Sequence, residues 1–548
     1  MNTNKLIYKA HCAMFAVLAF LFLSSASWAA TYYVGATNGD NYNDGLSPST
    51  AWKTIAKVNS SDFEPGDYIL FKRGEVWREQ LIVPSSGSKG NPITFGVYGS
   101  GDRPIISGAI LITDWTLDSG NICWASVDWT CNLVFEDGTA LIMKASKEDL
   151  VKGSYYLDEA NDKLYVWLNA EENPDFHTME VSRYHDYGLL RIDKDYIVID
   201  GLELKHSNKY QVRIWKSNTV TIQNCKASYG YHIGFYIFGT DPMPQNIHIL
   251  NNELSYNGIC RTRGVAGGSG ISFFGGTNWT VRGNHLDTVY GEGIECYGGA
   301  NNGEISENIV QNCEQSGGIY CCGNLGSTVH HINVFNNRVT NNAVHQMEIA
   351  IEGSGNLHHI NIYYNIINGK GTSGGGILVG WSGVGIIEDC TIYNNTIYGC
   401  KHGILVYGEN VTNNEFKNNI YSLNDAYGWC FLLDKDSSVD NILDHNCLYN
   451  AAEEDRIKWL GTAYTLSEFQ AAREKELNSI DSNPKFVDAT NKDFTLQSVS
   501  PCIDAAYDWN QTGDFYNHGK KGPAWDIGAI ERNTAPAKPT NLRFIPVY

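Results

Sequence analysis

Three glutamates, Glu295, Glu348 and Glu352, stand in short apolar phrases of one recurring kind, GIECYG and EIAIEG. Two carboxyl groups across a glycosidic bond can cleave it. One protonates the leaving oxygen, and the other activates water or attacks the sugar. Sister phrases, GFYIFG, GISFFG, GIYCCG, GILVGW and GILVYG, carry Tyr236, Phe274, Tyr320, Trp381 and Tyr407, and Tyr297 follows Glu295 by two residues. Aromatic rings of this sort stack on the apolar faces of sugars. Glu292 and His345 precede two of the phrases and could serve as a base or hold a neighbouring carboxylate; Lys401 and His402 precede another. The candidate catalytic set is therefore Glu295, Glu348, Glu352, Tyr320 and His345. Tyr236, Phe274, Tyr297, Trp381, Tyr407, Lys401 and His402 are the candidate substrate contacts. Like charges this close should raise at least one pKa, as a general acid requires.

These phrases need a scaffold that lines them up. Side chains alternate along a strand, so aligning Phe235, Ile271, Ile294, Ile319, Ile349, Ile377 and Ile404 as inward residues turns their neighbours outward. The outward position before each reads glycine six times and Glu348 once; the next reads Tyr236, Ser272, Glu295, Tyr320 and Ala350, and the third includes Phe274, Tyr297 and Glu352. The glycines are expected to leave a groove open or to supply a turn. This register sets Glu295 and Glu352 two rungs apart, about 10 Å between backbones, which long side chains can close to the roughly 6.5–9.5 Å of an inverting pair.

The scaffold itself is announced by a repeat. Apolar-x-apolar, then Asn, recurs at Asn224, Asn252, Asn284, Asn308, Asn337, Asn365, Asn395, Asn419 and Asn446, spaced 24 to 32 residues apart. The alternation of β-branched residues excludes helical repeats, and the leucine-rich pattern is absent. What remains is a parallel β-solenoid. Its strands pair with the coils above and below, and Asn in the turn tolerates left-handed geometry and ladders through its amide.

On these phrases residues 196–450 resemble the right-handed parallel β-helix of the pectin-lyase-like superfamily, of the exported bacterial polysaccharide-active type. The resemblance implies an all-β fold and a polysaccharide groove along one sheet. TYYVGATNGDNYNDGLSPSTAWKTI and FEPGDYILFKRGEVWREQLIVP resemble the opening of such proteins. The expected organisation is a signal peptide over 1–29, an N-terminal cap and first coils over 30–110, and an antiparallel β insertion over 111–183. The β-helix core follows over 184–450, a C-terminal helix and closing coil over 451–533, and a linker tail over 534–548. Thr465 and Glu468 form a capping-box pattern before FQAAREKEL.

Composition narrows the function. The chain of 548 residues has a net charge of −20 and 55 glycines. The acidic balance gives no footprint for a nucleic-acid backbone. Lys5 and Lys9 before an apolar run from Ala13 to Leu23 read as a secretory leader cleaved near Ala29, too short to span a bilayer. A secreted or periplasmic, monomeric protein without membrane insertion is expected. Of 14 cysteines, 13 follow Cys12; an odd number cannot pair completely, and most sit where other coils carry Val, Ile or Leu. A few disulfides are conceivable. No cofactor or metal is expected, although Asp40, Asn43 and Asp44 could bind Ca²⁺ or simply form an Asx-rich turn.

Three activities stay open. A glycoside hydrolase acting on a polysaccharide fits the glutamates best. A polyuronate lyase or epimerase would need a base and a cation, for which Tyr320, His345, His402, Lys401, Arg213 and Lys216 are available, but the corridor is acidic. A non-catalytic carbohydrate-binding or surface protein would need the aromatics and no converging carboxylates.

Overall fold

The computed structural model describes residues 29–170, 172–183, 188–265, 267–369, 374–380, 383–436, 440–509 and 512–532. The expected leader up to residue 28, the whole of the tail 534–548 and Trp381 lie outside the described residues.

Each coil threads three parallel sheets in turn. A strand such as Asn218–Gln223 belongs to a 15-stranded sheet. A corner then leads to the three-residue strand Lys226–Ser228 of a 12-stranded sheet, and a second turn leads to Phe235–Phe238 in a 13-stranded sheet. The candidate catalytic strands lie in this third sheet and so do not directly follow the Asn corner, as the sequence alignment had placed them; a short strand and a second turn intervene. Stacked β-branched residues explain the register. Ile197, Val220, Ile247 and Ile249 are fully buried, as are Phe235, Ile271 and Ile294 in the facing sheet. A slip between coils would bury polar side chains instead.

The asparagine corner divides its two tasks between neighbouring residues. From Asn252 to Asn419, each ladder amide Nδ2 donates to the Oδ1 of the next at 3.0–3.2 Å, ending on Asn446. These asparagines are buried, and the left-handed conformation belongs to the residue before each one: Asn251, Asn336, Tyr364 and His445 have φ near 55°. Left-handed tolerance is therefore not why the ladder residue is Asn; its fully used amide is. Asn224 is not a rung. It takes the left-handed place (φ 54°), is exposed, and bonds Asp200; the rung is Cys225, whose N–H donates to Asn252 Oδ1 at 2.9 Å. The ladder ends on buried Glu476, whose two carboxyl oxygens each lie 3.0 Å from Asn446 Nδ2. Burial pushes the Glu476 carboxyl up to about 7.

Residues 109–182 build a four-stranded and a five-stranded sheet, largely antiparallel, around a separate core that includes Tyr155, Val166 and Met179. Arg78 ties this unit to the coils through Glu180 at 2.5 Å. The helix Leu466–Arg473 carries the Thr465–Glu468 capping box. All thirteen cysteines after Cys12 are buried and unbridged, though Cys296 and Cys321 stack on adjacent rungs with sulfurs 3.4 Å apart. Asp40 and Asp44 accept N–H groups of their own turns, from Tyr42 and Leu46. Among the described residues no helix is long and apolar enough to cross a membrane.

Candidate active site

The third sheet aligns one outward column as Arg213, Tyr236, Ser272, Glu295, Tyr320, Glu348, Leu378 and Leu405. This corrects the sequence register by two residues in one coil. Ile319 pairs with Met347 and not with Ile349, so Glu348 leaves the glycine column and joins Glu295 and Tyr320. Its place among the glycines is taken by Gln346, whose side chain turns back onto Asn342. Glu352 moves outward to pair with Asn324 and is exposed. The two-rung carboxylate pair is therefore Glu295 and Glu348, with Tyr320 between them, and not Glu295 and Glu352. A shift of two keeps every side chain on its face. The sequence pattern therefore identified the outward residues correctly but not their partners.

The glycines have a different purpose from the one expected. A Cβ on Gly293 would lie 2.4 Å from Val310 Cγ1 and 2.5 Å from the Gly318 carbonyl oxygen, and one on Gly270 would lie 2.5 Å from Leu286 Cδ2. They let the turn pass tightly over the core and do not open the groove.

A second column runs beside the first through the preceding turns. Backbone hydrogen bonds align Ser269, Glu292, Gly317, His345 and Gly375 on successive rungs. The Ser269 hydroxyl donates to Glu295 Oε1 at 2.7 Å. Glu292 is held by Arg261 Nη2 at 2.6 Å and by the Ser316 hydroxyl at 2.7 Å. Gly317 makes room for the Glu348 carboxyl, since a Cβ there would stand 2.6 Å from Oε1. Ser269, Ser316, Gly317 and Arg261 were not singled out in the sequence. The one signal pointing to Arg261 is that its coil, from Asn252 to Asn284, has the longest spacing of the repeat, 32 residues.

The electrostatics separate the two carboxyls. Burial pushes Glu348 up to about 8, helped by the charges of Glu292 and Glu352. Glu295 is raised by burial and by Glu292, but the serines beside it and Arg261 oppose the rise, and it settles at about 7. Burial drops His345 to about 4, with His402 contributing, and its Nδ1 accepts the Gly375 N–H at 2.9 Å. That ring is neutral at pH 7, with its remaining proton on Nε2. The hydroxyls of Tyr236, Tyr297 and Tyr320 are pushed well up by burial and stay protonated.

Tyr236 packs on Phe238 at 5.5 Å, Phe238 on Phe274 at 5.1 Å and Phe274 edge-on to Tyr297 at 4.9 Å, giving an aromatic run on one side of the carboxyls. Tyr407 is not part of it: it rests on the apolar cluster of Leu378, Leu405 and Leu432 beyond Glu348. His402 lies on that side too, its Nδ1 accepting the Trp429 N–H at 3.1 Å, with Lys401 beside it. The structure thus brings together Glu295, Glu348, Tyr320, His345, Tyr236, Phe274 and Tyr297. It sets Tyr407 apart from them and Glu352 at the rim, while His402 continues the column of His345 and Gly375 one rung further on, close enough to His345 to lower its pKa.

A family profile described as "Right handed beta helix region" matches residues 165–334. The chain is a right-handed parallel β-helix protein. The structure of XylC with xylose superposes on this β-helix with a TM-score of 0.56 at 14% identity, covering 91% of this chain and 98% of that one. A GH136 lacto-N-biosidase from Eubacterium ramulus gives a TM-score of 0.42 at 14% identity, covering 78% of this chain and 68% of the other. By sequence, 102 residues are 35% identical to a lacto-N-biosidase of Bifidobacterium longum. That match takes in 17% of the β-helix protein and about 6% of the relative's length.

Proposed function

We propose that this β-helix protein is an exported glycoside hydrolase that cleaves a polysaccharide or oligosaccharide, with Glu348 as general acid and Glu295 as its partner carboxylate. The observation that carries this reading is the shared outward column, where two half-buried carboxyls flank Tyr320 two rungs apart beside a run of aromatic rings. Burial and the charges of Glu292 and Glu352 favour the protonated form of Glu348, while the adjacent serines and Arg261 favour the ionised form of Glu295. Glu348 can then protonate the departing glycosidic oxygen as Glu295 takes a proton from water or attacks the anomeric carbon. Glu292 and Arg261 set the field around both groups, and His345 offers an Nε2–H to a sugar hydroxyl. The similarity over 102 residues to a lacto-N-biosidase supports the carbohydrate part of this reading.

Elimination is the poorer fit. Tyr320 holds its proton too firmly to act as a base, His345 has its basic Nδ1 occupied, and Arg261 is engaged by Glu292. The test is a panel of neutral and acidic glycans, following reducing ends and the ultraviolet absorbance of unsaturated products together. Reducing ends without absorbance, lost in Glu295→Gln and Glu348→Gln, are the expected result. Absorbance rising with the reducing ends refutes hydrolysis. Retention on a glycan without turnover points to a binding protein. Proton NMR of the fresh product reads its anomer and so tells whether water or Glu295 attacks.

A further inference from the structure

On the 15-stranded sheet, away from the groove, a cavity of about 710 Å³ opens over the strands Tyr68–Lys72, Ile93–Tyr98 and Ile197–Asp200. Ligand pockets fall in the range of roughly 300–1,000 Å³. A missing side chain makes this one. The outward column runs from Leu70 to its partner Gly96, and on to Asp200, which follows Ile199, the partner of Phe95. Gly96 thus leaves one rung, about 4.8 Å of sheet, without a side chain. The backbone does not demand glycine there. Gly96 lies within a regular strand, and a Cβ would meet only Leu70 Cδ2 at 3.2 Å and Thr94 Cγ2 at 3.9 Å, both ends of side chains. Glycine inside a strand weakens it; where no turn or bulge requires one, the space it leaves is its use.

The walls combine one flat apolar ring with directed hydrogen-bonding groups. Tyr68, 46% exposed, stands where its strand begins, and its hydroxyl bonds no other group among the described residues. Beyond the far end of the strands, at the corner, lie Arg73, Asp102, Arg103 and Asn224. Three of these four are held in place. Arg73 Nη1 donates to the Gly101 carbonyl at 3.3 Å, Arg103 Nη2 to Glu253 Oε1 at 3.0 Å, and Asn224 Nδ2 to Asp200 Oδ1 at 2.8 Å. The Nε and Nη2 of Arg73, Asn224 Oδ1 and the Asp102 carboxylate have no other partner among the described residues. They leave donors and acceptors side by side on a wall shaped before any ligand arrives. Charge is balanced as well. Asp102 and Asp200 answer the two arginines, and Glu253 engages Arg103 besides, so no surplus positive charge is left to hold an anion.

We propose that this cavity is a second glycan-binding site, remote from the carboxyl pair, that takes a short segment of neutral sugar. The apolar face of one pyranose rests on Tyr68 beside the gap at Gly96, and ring hydroxyls bond Arg73, Asp102 and Asn224. Neighbouring sugar hydroxyls both donate and accept, which matches a wall of guanidinium, amide and carboxylate groups. An apolar ligand would leave those groups unpaired, and an anion would face two aspartates. The groove lies on the 13-stranded sheet, so a polymer held here leaves Glu295 and Glu348 free. The site retains the protein on a polysaccharide and takes no part in cleavage. The choice of a glycan rests on the carbohydrate reading above.

Affinity electrophoresis tests the site, with the full chain run in native gels containing xylan, galactan, mannan or polygalacturonate. At least one of the three neutral polymers should retard the parent protein. Tyr68→Ala, and Gly96→Val, which fills the gap, should each weaken that retardation by about 2- to 10-fold, the worth of one stacked ring. Turnover of a short soluble oligosaccharide of the same glycan should stay unchanged in both. Because Tyr68 is exposed, Tyr68→Ala should melt like the parent, which keeps the test decisive if Gly96→Val folds poorly. Glu348→Gln should be retarded like the parent while losing turnover. Failure of the catalytic reading therefore shows in turnover, and failure of this site shows in retardation. Retardation that Tyr68→Ala leaves untouched would overturn the site. So would retardation of the parent by polygalacturonate alone, or by none of the four polymers.

Discussion

Replacing Glu348 with Gln separates the proton from the charge. The side chain keeps its shape above Gly317 but can no longer donate a proton, so turnover on the cleaved glycan should fall by about 10²–10⁴-fold, the usual share of a general acid. Stability should move the other way. In the parent protein the carboxyl rises from 4.5 in the unfolded chain to about 8 in the fold. A group raised in this way contributes stability that is complete below pH 4.5 and is lost as pH climbs through 8, because ionisation is opposed in the fold. From pH 4.5 to pH 9 the loss approaches 5 kcal/mol as an order of magnitude, at about 1.4 kcal/mol per pH unit. Glu348→Gln removes it. Calorimetric melts of both proteins at pH 5 and pH 9 should show the variant gaining on the parent at the alkaline end, while the fall in turnover is read on the same preparations. This arm needs no substrate. A variant that keeps its turnover, or one whose melting tracks the parent at both pH values, refutes the argument that a half-buried, proton-bearing Glu348 is the acid.

Gly317→Ala places a methyl 2.6 Å from Glu348 Oε1 and 3.2 Å from the His345 carbonyl oxygen; kcat should drop at least about tenfold with little change in circular dichroism, as expected for a displaced catalytic group. Asn337→Ala in the middle of the ladder orphans Asn308 Nδ2 and the Ile305 and Phe335 carbonyls, and urea melts should show a loss of about 3–5 kcal/mol. Glu476→Gln keeps the end of the ladder occupied and removes a carboxyl raised to about 7; the parent should lose stability between pH 4.5 and pH 7 and the variant should lose less, as read by thermal melts across that range.

The periodic residues determined much of this on their own. Alternating Ile, Val and Leu with a buried Asn every 24 to 32 residues can satisfy both core and backbone only as stacked parallel coils. The same alternation placed Glu295, Glu348, Tyr320 and Tyr236 on the outer face before any coordinates. The sequence could not tell which of them stand on neighbouring rungs. A period of two is unchanged by a slip of two, so EIAIEG reads equally well with Ile349 or Met347 opposite Ile319. The choice is made by the backbone bonds of Gly318 and Ile319 to Gln346 and by the packing of buried Met347. Single-chain periodicity carries no information about those contacts. The left-handed residue beside each ladder Asn was hidden for a related reason, because Asn, Tyr, Glu and His all occupy it. Ser269, Arg261 and Gly317 were hidden too: they reach the carboxyls across rungs 26 to 31 residues away in the chain. Which face each residue takes is a local property of alternating strands, and the sequence determined it. Which residues meet on that face depends on coil-to-coil register, and only the packed tertiary structure decided that.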